Sequence, residues 1–336
     1  MVKYTYQNIG NAYRYVKEIE SIFTQKFVSE IAILSQDIVK NSLQPAGDFG
    51  ASRILLEEKY LFELIDAEGI SNKYKLIILP DNLIISEEIK DKLSEFLRNG
   101  GKLLVSGESA IENGKFIFDL GAEYKTKDKF CPTYFKTKYD IKYLSEEAMA
   151  VYCDSYNIKL TGKLLAEKIP PYFQREGEKF CSHYHTPCDY SQEKSPAITE
   201  GKDGIYISTQ IFTDYYKNGC MNSKLMVVPL IDKLIEKRTV ITNLPSQAKI
   251  SLAERKGEYI LHMLYANTIK RGDGIEIIED IVPIYNINIS IQVAQNIIKV
   301  KLFPQNYDIP FEYKDGRVEF FIKEMRIHQG VRLFYN

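Results

Sequence analysis

Short apolar runs separated by amphipathic stretches fill the first two thirds of the chain, and short alternating runs fill the last third. The runs Ile31 to Leu34, Leu76 to Leu79, Leu103 to Val105 and Gly204 to Ile207 read as continuous apolar strands. Helical periods lie between them. Ile54, Leu55, Leu61, Phe62, Leu64 and Ile65 predict a long helix over about 51–67, stopped at Gly69. Ser86 caps a second helix, with Glu87 and Glu88 in its first turn, Ile89, Leu93, Phe96 and Leu97 on one face, and Gly100 and Gly101 at its end. A further helix is expected over about 221–237. Short buried strands separated by helices argue for a parallel sheet covered on both faces. The stretch 112–200 is less regular, with strands expected at 151–152 and 197–198. Ahead of the first strand, Tyr15, Ile19, Ile22 and Phe23 recur at helical spacing. They predict one amphipathic helix, acting as a connector or a packing arm.

The pattern changes near residue 239. Strands are expected at 259–264, 287–293, 297–302, 311–313, 318–322 and 331–334, several with period-2 alternation. Lys314, Asp315, Gly316 and Arg317 form a hairpin turn between two of them. Six strands without a helical segment suggest a small antiparallel β-sandwich. The expected division is a linker helix over 1–26, an α/β domain over 27–238 and a β-sandwich over 239–336.

Composition narrows the function classes. The chain has 336 residues and a formal net charge of −1, which gives no electrostatic case for nucleic acid or an anionic membrane surface. No apolar run approaches the roughly 18 residues that span a bilayer. The N-terminus has no apolar leader, so a cytoplasmic location is expected. Five scattered cysteines, an odd number, argue for reduced thiols. Trp is absent, which weakens a sugar-stacking reading, although 24 Tyr and 17 Phe are present.

Two places carry candidate chemistry. The first is the turn Ser106, Gly107, Glu108 and Ser109, at the carboxyl end of a predicted parallel strand, where ligands and nucleophiles sit in a doubly wound sheet. Ser106 or Ser109 with His183 or His185 as base is conceivable chemistry. No G-x-S-x-G or G-x-C-x-G frame is present, so a turn with its serines bonding the local backbone is the better reading. The second is the cluster Cys181, His183, His185 and Cys188. On an extended segment Cys181, His183 and His185 would share one face. Zinc takes such ligands, but this is not a standard zinc spacing, and no metal or other cofactor is expected. Together with Tyr172, Arg175 and Tyr184, the loop reads as polar and aromatic lining for a sugar cleft. The bland alternative is an ordered loop whose histidines bond backbone groups. The adjacent pairs Glu57–Glu58, Glu87–Glu88 and Glu146–Glu147 diverge on helices and read as solvated charges. No catalytic residue is assigned.

The runs 31–34, 50–57, 74–81 and 100–106 together resemble the β-galactosidase trimerisation domain. That is an amidotransferase-like, flavodoxin-like doubly wound module placed after the catalytic barrel of certain glycoside hydrolases. The stretches 172–175, 180–187 and 211–219 resemble a subgroup of glycosyl hydrolases with a fucosidase-like or galactosidase-like barrel. The tail from 259–264 through 316–320 is similar to the small sandwich that ends them. An amidotransferase carries its nucleophilic Cys at the turn that here holds Ser106, Gly107 and Glu108, so the resemblance implies a degenerate elbow. It places the two catalytic carboxylates on a barrel of about 250 residues that this sequence does not encode. The implied role is the non-catalytic structural and oligomerisation region of a glycoside hydrolase system. The implied partners are further copies of the chain in a trimer, an N-terminal catalytic barrel, and carbohydrate. Phe116, Ile117, Phe118, Phe130, Tyr134 and Phe135 are the expected interface. A stand-alone hydrolase using His183 and His185, or a carbohydrate-binding module, are the rival expectations.

Overall fold

A computed structural model of the chain describes residues 3–23, 26–35, 45–141 and 147–336. Two compact units form. One comprises Glu30–Leu55 and Phe62–Lys237; the other comprises Met1–Ser29, Leu56–Leu61 and Arg238–Asn336. The helices of the described residues are α1 (Lys3–Ile19), α2 (Ala46–Glu57), α3 (Glu87–Arg98), α4 (Ile211–Asn218) and α5 (Met221–Ile235).

The first unit is mixed α/β. Its large sheet contains β1 (Ile31–Leu34), β2 (Phe62–Ile65), β3 (Leu76–Leu79), β4 (Lys102–Ser106), β5 (Thr133–Thr137), β6 (Met149–Val151), β7 (Lys163–Ile169), β8 (Ser195–Glu200) and β9 (Gly204–Ile207). The order is β2-β1-β3-β4-β9-β8-β7-β5-β6. The first five strands in that order are parallel. The remaining pairings are antiparallel. β1, β3 and β9 are buried at every position, which explains their unbroken apolar sequence. Helix α3 lays Ile89, Leu93 and Phe96 on Ala32, Leu34, Ile77, Leu79, Leu103 and Val105. The alternate residues of these strands point to the other face, where α5 lies against β3 and β4. Ser86 caps α3 as expected, its Oγ accepting the Ile89 N–H at 3.3 Å.

The long helix expected over 51–67 does not form. α2 ends at Glu57, Lys59 has a positive φ of 60°, and Phe62–Ile65 become a parallel edge strand on β1. A short run such as Phe62, Leu64 and Ile65 around Glu63 fits strand and helix equally well by periodicity. The open edge of β1 decides the case, because its backbone groups need partners. The aromatic residues expected to form an exposed interface are also folded inward. Phe118, Tyr134 and Phe135 are buried, and Phe116 and Ile117 pack on the core beneath α3. Glu146 lies outside the described residues.

The second unit is an antiparallel sandwich. The strands of its two main sheets are β10 (Val240–Thr242), β11 (Lys249–Arg255), β12 (Glu258–Leu264), β13 (Ile284–Ile291), β14 (Ile297–Phe303), β15 (Tyr307–Asp308), β16 (Phe311–Lys314), β17 (Arg317–Met325) and β18 (His328–Tyr335). They form the sheets β10-β13-β17-β16 and β11-β12-β18-β14-β15. Ile287, Ile289, Phe320 and Ile322 of one sheet meet Leu252, Leu261, Val300 and Val331 of the other. Asp315 (φ 52°) and Gly316 (φ 77°) make the expected hairpin between β16 and β17. In this unit α1 docks by its last turn. Ile19 packs on Ile260 and Phe303, with Tyr15 and Ile22 beside it.

Candidate functional site

The turn after β4 is sealed. Ser106 and Ser109 are fully buried. The Ser106 hydroxyl donates to Asp81 Oδ1 at 2.7 Å and accepts the Asp81 N–H at 2.9 Å. Asp81 Oδ2 accepts the Thr213 N–H at 2.6 Å, which ties β3 to the first turn of α4. The Glu108 and Ser109 N–H groups both donate to the Asp81 carbonyl, at 2.6 and 3.1 Å. Ser109 Oγ accepts the Leu83 N–H at 2.9 Å. Gly107 has φ 61°, and a Cβ there would lie 2.2 Å from the Asp81 carbonyl oxygen. Only glycine fits so close an approach. Burial pushes the Asp81 carboxyl group up to about 6, against the bonds from Thr213 and Ser106 that lower it. Both serine hydroxyls therefore hold β3 and β4 together, and neither bonds to a histidine. Glu108 stands exposed beside them.

The histidine loop has a different geometry from the one expected. Residues 178–187 form turns and bends instead of a strand, so alternation does not put Cys181, His183 and His185 on one face. Among the described residues no three His, Cys, Asp or Glu side chains converge as a metal site requires. The loop instead walls a cleft of about 270 Å³ lined by Phe173, Gln174, Arg175, Tyr184, His185 and Thr186, with Cys131 at one side. Each wall is fixed locally. The Gln174 amide accepts the Cys131 N–H at 3.0 Å and donates to the Cys131 carbonyl at 2.8 Å. Thr186 Oγ1 donates to the Phe173 carbonyl at 2.8 Å, and the Tyr134 hydroxyl donates to the Thr186 carbonyl at 2.5 Å. Arg175 Nη1 donates to the carbonyls of His183 and Tyr184 at 3.1 and 3.3 Å, with its guanidinium 5.0 Å over the Phe180 ring.

His185 is the central group of this cleft. Its ring sits among Tyr134, Tyr152 and Tyr184 at 6.2, 5.4 and 5.9 Å. Its Nδ1 is buried with no hydrogen-bond partner. A buried polar atom left without a partner is uncommon and calls for a reason. Arg175, Tyr184 and His185 line this one cleft. Tyr172 and His183 are exposed and do not line the cleft. The arrangement supplies an imidazole, a guanidinium, an amide and aromatic rings, a set suited to hydroxyl groups and the C–H faces of a sugar ring. It contains no carboxylate pair.

A second polar cluster was not foreseen. His262 on β12 and His328 on β18 lie 66 residues apart in sequence, yet His262 Nδ1 is 3.0 Å from His328 Nε2. Each is the lone histidine of its strand, and only strand pairing joins them.

No family model and no curated protein matches the chain. Solved structures do. An α-L-fucosidase, isoenzyme 2 from Paenibacillus thiaminolyticus, is 34% identical with a TM-score of 0.94, over 100% of this chain and 53% of that one. Gan42B, a GH42 β-galactosidase from G. stearothermophilus, is 14% identical with a TM-score of 0.60, over 98% of this chain and 44% of that one. A β-galactosidase from Bacillus circulans sp. alkalophilus is 12% identical with a TM-score of 0.60, over 95% and 44%. The likeness to the two galactosidases is one of fold. The chain spans about half the length of these neighbours. These three structural neighbours are glycoside hydrolases, and the chain corresponds to part of each.

Proposed function

We propose that this chain is the non-catalytic structural and oligomerisation region of a glycoside hydrolase system of α-L-fucosidase or β-galactosidase type, with an amidotransferase-like trimerisation domain at its centre. The observation that carries the reading is the 34% identity to an α-L-fucosidase over the whole of this chain and only half of the other. The sealed turn at Ser106 supports it, since both serine hydroxyls are bonded to backbone or to Asp81. The proposed partners are further copies of the chain and a catalytic barrel. In this reading the His185 cleft presents Arg175, Tyr184 and the unpartnered His185 Nδ1 to a sugar.

The purified chain is expected to release no nitrophenol from aryl α-L-fucosides or β-galactosides, and no ammonia from glutamine. Turnover above a buffer blank that disappears in His185→Ala would replace this reading with that of a stand-alone hydrolase.

A further inference from the structure

Tyr15, His328 and His262 form one hydrogen-bonded chain inside the sandwich unit. The Tyr15 hydroxyl lies 2.6 Å from His328 Nδ1, and His328 Nε2 lies 3.0 Å from His262 Nδ1. The three residues come from α1, β18 and β12. Phe23 stacks on His262 at 5.1 Å, and Phe303 meets its edge at 5.3 Å. The chain borders an apolar cavity of about 660 Å³ walled by Val16, Ile19, Phe23, Phe27, Leu264 and Ile327.

Proton counting limits what this chain tolerates. When both rings are neutral, each of the two bonds holds one proton, whichever direction the chain runs. One added proton is absorbed by reversing the direction, with Tyr15 becoming the acceptor. A second proton sets N–H against N–H across the 3.0 Å contact between the rings. Little opposes the separation that follows. In α1 only Ile19 is buried, only Gly10 and Tyr15 are half-buried, and the other described positions are exposed. Such an element sits at the low-stability end of a fold.

We propose that Tyr15, His328 and His262 form an acid-released latch, which holds the last turns of α1 on the sandwich when neutral and frees them, opening the adjoining cavity, when both histidines are protonated. Charged groups packed around the three residues bond to other partners. From α1 come Arg14, Lys17 and Glu18, of which Glu18 acts on Tyr15. Arg326, ahead of β18, lines the cavity and is bonded to Glu324 at 2.6 Å. From β11, Arg255 holds the Ser21 carbonyl at 2.9 Å and is paired with Glu258. β14 contributes only Phe303 at this point, and neither imidazole has a carboxylate among its bonded partners. Burial lowers both histidines, His262 to about 4 with help from the neighbouring His328. A free histidine titrates near 6.5. The released form therefore takes up protons that the docked form refuses. Docking is at full strength above about pH 6.5 and weakens as pH falls toward 4.

Hydrogen exchange tests this on the full chain. Protection factors for the amides of residues 14–19 should fall at least tenfold between pH 7.5 and 4.5, while the core amides of β12 and β18 stay protected. His262→Phe keeps a ring between Phe23 and Phe303 and removes the clash of two protonated rings, leaving His328 as the one titrating imidazole. In that variant the acid loss of α1 protection over the same range should be at most a third of the wild-type loss. Should His262→Phe disturb the sandwich core at pH 7.5, His328→Gln takes its place with the same expectation, since its amide both donates and accepts. Tyr15→Phe should weaken α1 protection at every pH and keep the acid step. A wild-type protection independent of pH, or an acid loss in the single-histidine variant equal to that of wild type, overturns the latch.

Discussion

At the end of β3 the backbone of Asp81 turns through a φ of 50°, and its carboxyl group reaches both Ser106 and the first turn of α4. Burial outweighs those donors and pushes the group up to about 6. An unfolded chain releases the same proton near 3.9. A raised carboxyl pKa contributes stability at low pH, complete below about pH 4 and lost as pH rises through about 6, here on the order of 3 kcal/mol. Asp81→Asn removes the titration. Urea unfolding from pH 4.5 to 7 should show the variant gaining on wild type by about 2 kcal/mol as pH rises. A stability difference that stays constant over that range would show that Asp81 does not titrate there. His185 is the complementary case, with an unpartnered nitrogen beside an open cleft. Asp81 is used up within the fold, whereas His185 has bonding capacity left for a ligand.

Among the elements, β7 is held by more than its ladder. Lys168 is almost fully buried and reaches Asp128 at 2.6 Å, the Tyr156 carbonyl at 2.9 Å and Asn157 Oδ1 at 2.8 Å. Burial lowers the Lys168 ammonium pKa, and the Asp128 carboxylate works against it. Removing one partner of a buried pair leaves the other uncompensated, at about 3–5 kcal/mol. Lys168→Met should lose that much in urea unfolding, and adding Asp128→Asn should restore at least half. Additive losses would show that the two side chains are not coupled. Much of the element pattern could be read in advance. β1, β3, β4, β9 and the hairpin at Asp315–Gly316 are announced by unbroken apolar runs or by a turn dipeptide. Phe62–Ile65 differ from the expected helix because three apolar residues around Glu63 satisfy two periods, and pairing with β1 chooses between them.

At the scale of the whole molecule, no helix of the described residues is long and apolar enough to cross a membrane. The proposed trimer requires a closed ring, built from two different patches on each copy. Of the aromatic residues in the 112–135 stretch, Phe118, Tyr134 and Phe135 are buried in their own unit, which leaves Phe116, Tyr124 and Phe130 only part-exposed for such a patch. Light scattering at micromolar concentration should give about three times the 38.8 kDa of one chain. A mass of one chain at every concentration would remove the oligomerisation role from the proposal. It would leave the sugar-facing cleft to be tested separately, by chemical-shift changes at His185 on adding L-fucose or galactose.

The sequence by itself determined the alternation of buried strands and helices, the change to a sandwich near residue 239, and the place of each candidate residue along the chain. These follow from local rules of side-chain period, capping and turn chemistry, which act within a few residues. Tertiary structure decided the rest. It joined Ser106 to Asp81 across 25 residues, stood His185 among Tyr134, Tyr152 and Tyr184, and brought His262, His328 and Tyr15 into one proton-sharing chain. Whether a polar side chain is consumed or left available depends on the partners that packing brings to it. Those partners come from strands and loops far away in sequence, which no local period records.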